Sequence, residues 1–114
     1  LEHVDQIEHA YSQMYRILKK GGIMSHKIDH SSHKITNSWN GHYKIKDLFW
    51  RIIRGRKPYL LNRLTPSEHK SLFIKCGFKI ISEKFVRSEK DEKNSLYFKD
   101  ANKMIKTSTF ILKK

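Results

Sequence analysis

The chain has 114 residues, 38% of them hydrophobic and 11% aromatic, enough for one domain with one modest core, which excludes a disordered tail. No apolar run approaches the roughly 18 residues that cross a bilayer, and no secretory signal is visible. We therefore expect a cytoplasmic protein without a membrane partner. The single cysteine, Cys76, excludes an intrachain disulfide and a thiolate-rich zinc site.

The net charge of +13 is the most conspicuous bulk feature. A basic surface attracts phosphates and nucleic acid, but 18 of the 24 basic residues are lysines scattered along the chain. The one local concentration contains Arg51, Arg54, Arg56 and Lys57. These residues leave open an alternative function, a small basic module that binds nucleic acid or another polyanion.

The first elements are a helix and a strand. Asp5 followed by Glu8 matches a capping box, and apolar residues then recur at helical spacing until Gly21 ends the predicted helix. The segment "IMSHKID" has no helical stripe and predicts a strand whose carboxyl end is Asp29. A polar, histidine-rich loop follows this strand, in a position where functional sites tend to lie.

Two further helices are predicted in the middle of the chain. The second ends at Gly55 and carries one apolar stripe, formed by Ile45, Leu48, Phe49, Ile52 and Ile53. The third has Thr65 as its cap, Pro66 at its first position, Glu68 completing a capping box, and Gly77 after its last turn.

The last third of the chain predicts two strands. They cover residues 78–86 and 107–114 and are separated by a charged excursion at 87–106. The order is then helix, strand, helix, helix, strand, excursion, strand. Such alternation indicates an α/β fold with a layered sheet.

Three short motifs carry a resemblance to a known family. They are "LEHV" at Leu1–Val4, the helix end formed by Arg16, Leu18, Lys19, Gly21 and Gly22, and the pair Gly77 and Phe78. In this order they resemble the second half of a class I S-adenosylmethionine-dependent methyltransferase, close to methyltransferase type 11. The resemblance implies the C-terminal half of a Rossmann-like sheet, strands five to seven with an antiparallel last strand, and a helical insertion at about 44–56. It covers residues 1–114 as a partial domain.

The same resemblance implies that the cofactor site is incomplete in this chain. The family holds its cofactor with a glycine-rich turn after the first strand and an acidic residue after the second. The five glycines, at 21, 22, 41, 55 and 77, form no such turn. We therefore expect a fragment that lacks its N-terminal half, supplied in cis or in trans, and that is inactive alone. Leu1, Glu2, His3 and Val4 are the residues expected beside S-adenosylmethionine.

Candidate residues for methyl transfer to a small-molecule acceptor follow the first strand. Asp29 and His33 form the predicted catalytic pair, because a histidine beside a carboxylate is a suitable base for an oxygen or nitrogen nucleophile. The residues predicted to bind the acceptor are His30, Trp39, Tyr43, Asn62 and Arg63.

The histidines at 26, 30, 33 and 42 raise the question of a metal. Magnesium prefers oxygen ligands, and for zinc their spacing lacks supporting carboxylates or a recognised helix motif. The sequence therefore predicts no metal site.

Overall fold

Three helices and three strands follow one another along the chain in the computed structural model, which describes residues 1–57, 60–87 and 94–114. Part of the predicted excursion, residues 88–93, lies outside these ranges. The elements are α1 Ile7–Ile17, β1 Ile23–Asp29, α2 Asp47–Arg54, α3 Pro66–Lys75, β2 Lys79–Arg87 and β3 Ile105–Lys113, with short 3₁₀ turns at Gly41–Lys44 and Ala101–Met104. The predicted α/β class is confirmed, and β1 has the predicted bounds.

The sheet has the order β1-β3-β2, with β3 antiparallel to both neighbours. Ser108 of β3 is opposite Ile28 on one side and Phe85 on the other. Because both outer strands oppose β3, they run in the same direction without being neighbours. The chain returns from the end of β1 to the start of β2 through α2 and α3, so the carboxyl ends of β1 and β2 lie at the same end of the sheet.

The core lies between one face of the sheet and the helices α1 and α3. Alternate residues of β3, among them Phe110 and Leu112, are fully buried, as the two-residue period of a strand requires. The ring of Phe73 from α3 lies 4.3 Å from that of Tyr11 in α1 and 5.2 Å from that of Phe110. These aromatic contacts fix both helices on the sheet.

The predicted start and end of α1 are wrong. The residue at its N-cap is Gln6, which makes no side-chain cap bond, and the carboxylate of Asp5 instead pairs with Arg54. The helix stops at Ile17, because Leu18 takes an extended conformation with a ψ of 133°. Gly21 lies beyond this stop, at a positive φ of 76°.

The apolar stripe of α2 exists, but most of it does not enter the core. Leu48 and Ile52 are 66% and 69% exposed, and the buried residue of this helix is Trp50. Periodicity located the helix correctly and could not tell which face is covered. None of the helices in the described part of the chain is both long and apolar enough to span a membrane.

The start of α3 provides a test of the capping prediction, which is confirmed. The Thr65 hydroxyl accepts a hydrogen bond from the Glu68 amide, and the Thr65 amide donates to Glu68 Oε2 at 2.7 Å. We expect Thr65→Ala to lower the free energy of unfolding by about 1 kcal/mol, because one donor of the first turn loses its partner. Urea denaturation measures this loss.

The matched control is Ser71→Ala on the exposed surface of the same helix. Its hydroxyl donates to the Ser67 carbonyl one turn earlier, a contact that does little for helix stability. We expect the control to change stability by less than about 0.5 kcal/mol. Equal losses in the two variants would contradict the capping role of Thr65.

Candidate functional site

The turn at Leu1–Val4 is held by Asn62. The Asn62 side-chain amide donates to the carbonyls of Leu1 and Val4, at 3.0 Å each, and its backbone N–H donates to the carbonyl of Glu2 at 2.8 Å. Its Oδ1 accepts from the amide of Leu64. Asn62 was predicted to bind the acceptor, but its side chain already makes three protein hydrogen bonds and fixes the predicted cofactor segment.

The predicted catalytic pair lies where β1 ends. Asp29 Oδ1 accepts a hydrogen bond from the Ser31 amide at 2.8 Å, and its Oδ2 lies 3.8 Å from His33 Nε2. His33 has a positive φ of 48°, and both side chains are reachable from solvent. An exposed imidazole beside a carboxylate is an arrangement that suits a general base.

His30 points the other way, into the protein. Its Nδ1 must donate to the Leu64 carbonyl, at 3.1 Å, because a carbonyl only accepts. Its Nε2 then accepts from the Ser108 hydroxyl at 2.7 Å. Burial lowers the pKa of His30, so the neutral ring is favoured. With both nitrogens bonded, His30 links β1, β3 and the loop before α3, and has no ring nitrogen left for an acceptor.

The rings of His3 and His33 meet, with centroids 4.9 Å apart. A carboxylate oxygen of Glu2 completes a group in which the three nearest ligand atoms all lie within 4.8 Å of one another. Burial alone would raise the pKa of Glu2, but hydrogen bonds from its own backbone and from the Leu1 amino group hold that pKa below its usual range. Two residues predicted beside the cofactor thus contact the predicted catalytic histidine.

Arg63 fixes the loop that leads into α2. Its Nη1 donates to the carbonyls of His42, at 3.2 Å, and Ile45, at 2.6 Å, and its Nη2 pairs with Asp47. The guanidinium also lies 4.8 Å from the centre of the Trp50 ring. Arg63 was predicted to bind the acceptor. Its contacts show that it also holds the loop before α2 in place.

Tyr43 lies on the wall of a cleft with a volume of about 540 Å³. Its hydroxyl is buried and has no hydrogen-bond partner among the described residues, and burial raises its pKa. The cleft is mixed in charge, with Glu68, Asp100 and Lys103 among its lining residues. Such a cavity suits a polar molecule of modest size.

Trp39 lies on the other side of the histidine-rich loop. Together with His33 it lines a separate, shallower pocket of about 310 Å³. Its indole N–H is buried without a hydrogen-bond partner among the residues that the structure describes. The Nζ of Lys106 lies 5.6 Å from the centre of the indole ring. His33 therefore lines the pocket that contains Trp39 on one side of the loop, and lies beside His3 and Asp29 on the other side.

Most of the predicted site residues come together at one place. One narrow pocket at the carboxyl end of β1 is lined by six of them, namely Glu2, Asp29, His30, Tyr43, Asn62 and Arg63. His3 and His33 lie beside this group, and Trp39 is the predicted residue on the far side of the loop. The structure therefore brings most of the predicted site residues to the carboxyl end of β1.

The burial of two histidines in this region was not predicted from the sequence. His69 is fully buried and shares a hydrogen bond of 2.6 Å with the Tyr11 hydroxyl. Its position one turn before Phe73 on α3 could have placed it on the buried face of that helix. His42, which also lines the narrow pocket, sits in an irregular segment where no periodic signal exists.

These two histidines predict an acid-sensitive fold. Burial lowers the pKa of His69 to about 3 and that of His42 to about 4, against about 6.5 in an unfolded chain. Below pH 6.5 the unfolded chain binds protons that the folded chain does not. We therefore expect the free energy of unfolding to fall as the pH drops from about 6.5 to 4, by about 1.4 kcal/mol per pH unit for each histidine.

Urea denaturation at several pH values in this window measures the slope. We expect His42→Gln, which removes one of the two groups, to reduce the slope by about 1.4 kcal/mol per pH unit. A slope unchanged by the substitution would contradict a neutral, buried His42.

Comparison of the chain with protein-family models and with curated proteins finds no match.

Proposed function

We propose that this chain is the acceptor-side half of an S-adenosylmethionine-dependent methyltransferase that acts on a small molecule. The observation that carries the proposal is the clamp of Asn62 on Leu1–Val4. It holds the segment expected beside the cofactor next to the end of β1, where Asp29 and His33 lie. Ligands of open α/β sheets bind at the carboxyl ends of strands.

The strand arrangement supports the Rossmann-like part of the proposal. The resemblance implies a last strand antiparallel to those before it, and β3 runs antiparallel to both β1 and β2. The segment at about 44–56, expected to be a helical insertion over the acceptor, contains α2. We infer that β1, β2 and β3 correspond to strands five, six and seven.

Surfaces left uncovered support a missing N-terminal half. Among the described residues no strand pairs with the outer edge of β1, and an edge of this kind offers free backbone donors and acceptors to a further strand. The apolar side chains of α2, including Phe49 at 58% exposure, are also uncovered. An N-terminal half that adds strands beside β1 would pair its free backbone groups. If the same half packs on α2, it would also cover the apolar side chains of that helix.

The chemistry assigned to this half is acceptor binding and proton removal. In methyl transfer the carbon–sulfur bond of the sulfonium breaks as the acceptor's oxygen or nitrogen forms a bond to the methyl carbon. In this proposal His33 takes the proton from that nucleophile, and Asp29, 3.8 Å from its Nε2, stabilises the resulting cation. The acceptor is placed in the 540 Å³ cleft, which shares Tyr43, Asn62 and Arg63 with the narrow pocket that Asp29 lines, while S-adenosylmethionine supplies the methyl group.

The cofactor part of the proposal is tested by calorimetric titration of S-adenosylhomocysteine into this chain and into a chain extended upstream through the preceding coding sequence. We expect binding only by the extended chain. In that chain Asn62→Ala should weaken binding at least about tenfold, because the Leu1–Val4 turn loses two hydrogen bonds. The control Asn37→Ala changes an exposed loop asparagine and should have no effect.

Tight binding by the 114 residues alone would show that the cofactor site has been misplaced. Absence of binding by both chains would contradict the methyltransferase proposal.

The second candidate function is polyanion binding, and one observation favours it. Arg51, Arg56 and Lys57 are exposed at and just after α2, next to the apolar side chains that this helix leaves uncovered. If this surface binds nucleic acid, affinity for a single-stranded oligonucleotide should fall about 10-fold or more between 50 and 200 mM salt. Fluorescence anisotropy measures this slope, and replacement of the three basic residues by glutamine should flatten it.

A further inference from the structure

We propose that Glu2, His3 and His33 bind a divalent transition-metal ion, and that Zn²⁺ matches this donor set best. The site requires neither a methyl donor nor the missing half. With one ring nitrogen on the ion and the other beside Asp29, His33 does not act as a base in the metal-bound form. The sequence alone had not joined these three residues into a metal site.

The geometry brings three donors to one point from two distant segments. One ligand atom from each side chain lies within 4.8 Å of the other two, and the histidine rings are 4.9 Å apart at their centroids. Ligands about 2.1 Å from a tetrahedral zinc ion lie about 3.4 Å from one another. Side-chain rotations that move each ligand atom by about 1 Å would close the difference between 4.8 Å and about 3.4 Å. Both histidines are exposed, so they can rotate without losing core packing.

The backbones that carry the donors are already fixed. Three hydrogen bonds from Asn62 hold the turn with Glu2 and His3. The loop with His33 is closed by a hydrogen bond of 2.6 Å from the Ser32 amide to the Trp39 carbonyl. Metal binding would therefore order side chains without folding a loop around the ion, which favours affinity.

Asp29 places a carboxylate beside the cluster. Its Oδ2 lies 3.8 Å from His33 Nε2, and its Oδ1 is held by the Ser31 amide. A carboxylate in this position orients the imidazole, as partners of metal-bound histidines commonly do. The ion would then be bound through the other ring nitrogen of His33, or Asp29 itself would become a fourth ligand.

Two imidazoles and one carboxylate select the kind of metal. This combination is found around catalytic zinc and around iron in sites with open positions, whereas magnesium and calcium prefer oxygen donors alone. Because His3 and His33 reach solvent, water would occupy the remaining positions. The hydrogen bond of 3.0 Å between the Leu1 nitrogen and Glu2 Oε2 is one contact that the ion would have to displace.

The test is titration of ZnCl₂ into the untagged chain by calorimetry, with CoCl₂ added separately to record the visible absorption of bound cobalt. No methyl donor is present, so loss of S-adenosylhomocysteine binding and loss of metal binding are distinguishable. We expect one ion per chain. His3→Ala and His33→Ala should each weaken binding at least about tenfold and remove the cobalt bands.

The matched control is His9→Ala, which removes another exposed histidine, on α1 and outside the cluster. It should bind Zn²⁺ as the unchanged chain does. Amide NMR spectra of all three variants would show whether the fold is retained. Equal binding by His33→Ala and His9→Ala, or no binding by the unchanged chain, would overturn the proposal.

Discussion

The central strand β3 is the constraint on which the rest of the structure depends. It pairs with β1 on one side and β2 on the other, so two strands far apart in sequence are aligned only through it. Backbone hydrogen bonds from the Lys114 amide to the Gly22 carbonyl and from the Gly21 amide to the Lys114 carbonyl continue the pairing past the strand ends. From the same strand Ser108 bonds His30, which sets the direction of the chain as it leaves β1 and enters the site.

The site is built from irregular segments that this sheet positions. The Leu1–Val4 turn, the loop after β1 and the segment before α3 have no regular structure of their own, and they hold one another through side chains. Asn62 and His30 satisfy backbone groups of neighbouring segments, so two residues expected to contact ligand also build the frame. Asp29 and His33 remain reachable by solvent beside it.

Local signals located the elements, while burial and long-range contacts could not be predicted. The bounds of β1 and the capping of α3 follow from a few adjacent residues, and both were predicted correctly. Asp5 has the sequence of a cap, but Arg54 from another helix competes for its carboxylate. The stripe of α2 shows the same limit, because periodicity defines a face and only packing decides whether that face is covered.

The candidate site was predictable to the extent that the end of β1 is marked in the sequence. Asp29, His30 and His33 follow one strand directly, so their proximity needed no tertiary information. The meeting of His3 with His33 depends on how Asn62 folds the first turn against the loop, which no local pattern encodes. Likewise nothing in the sequence near His42 shows that it is buried.

The central claim is that the first turn and the loop after β1 form one site. The most direct measurement is a nuclear Overhauser spectrum of the labelled chain, read for contacts between the ring protons of His3 and His33. Ring centroids 4.9 Å apart predict cross-peaks between them. Absence of these cross-peaks, while contacts between β1 and β3 in the register of Ile28 with Ser108 are observed, would contradict the account.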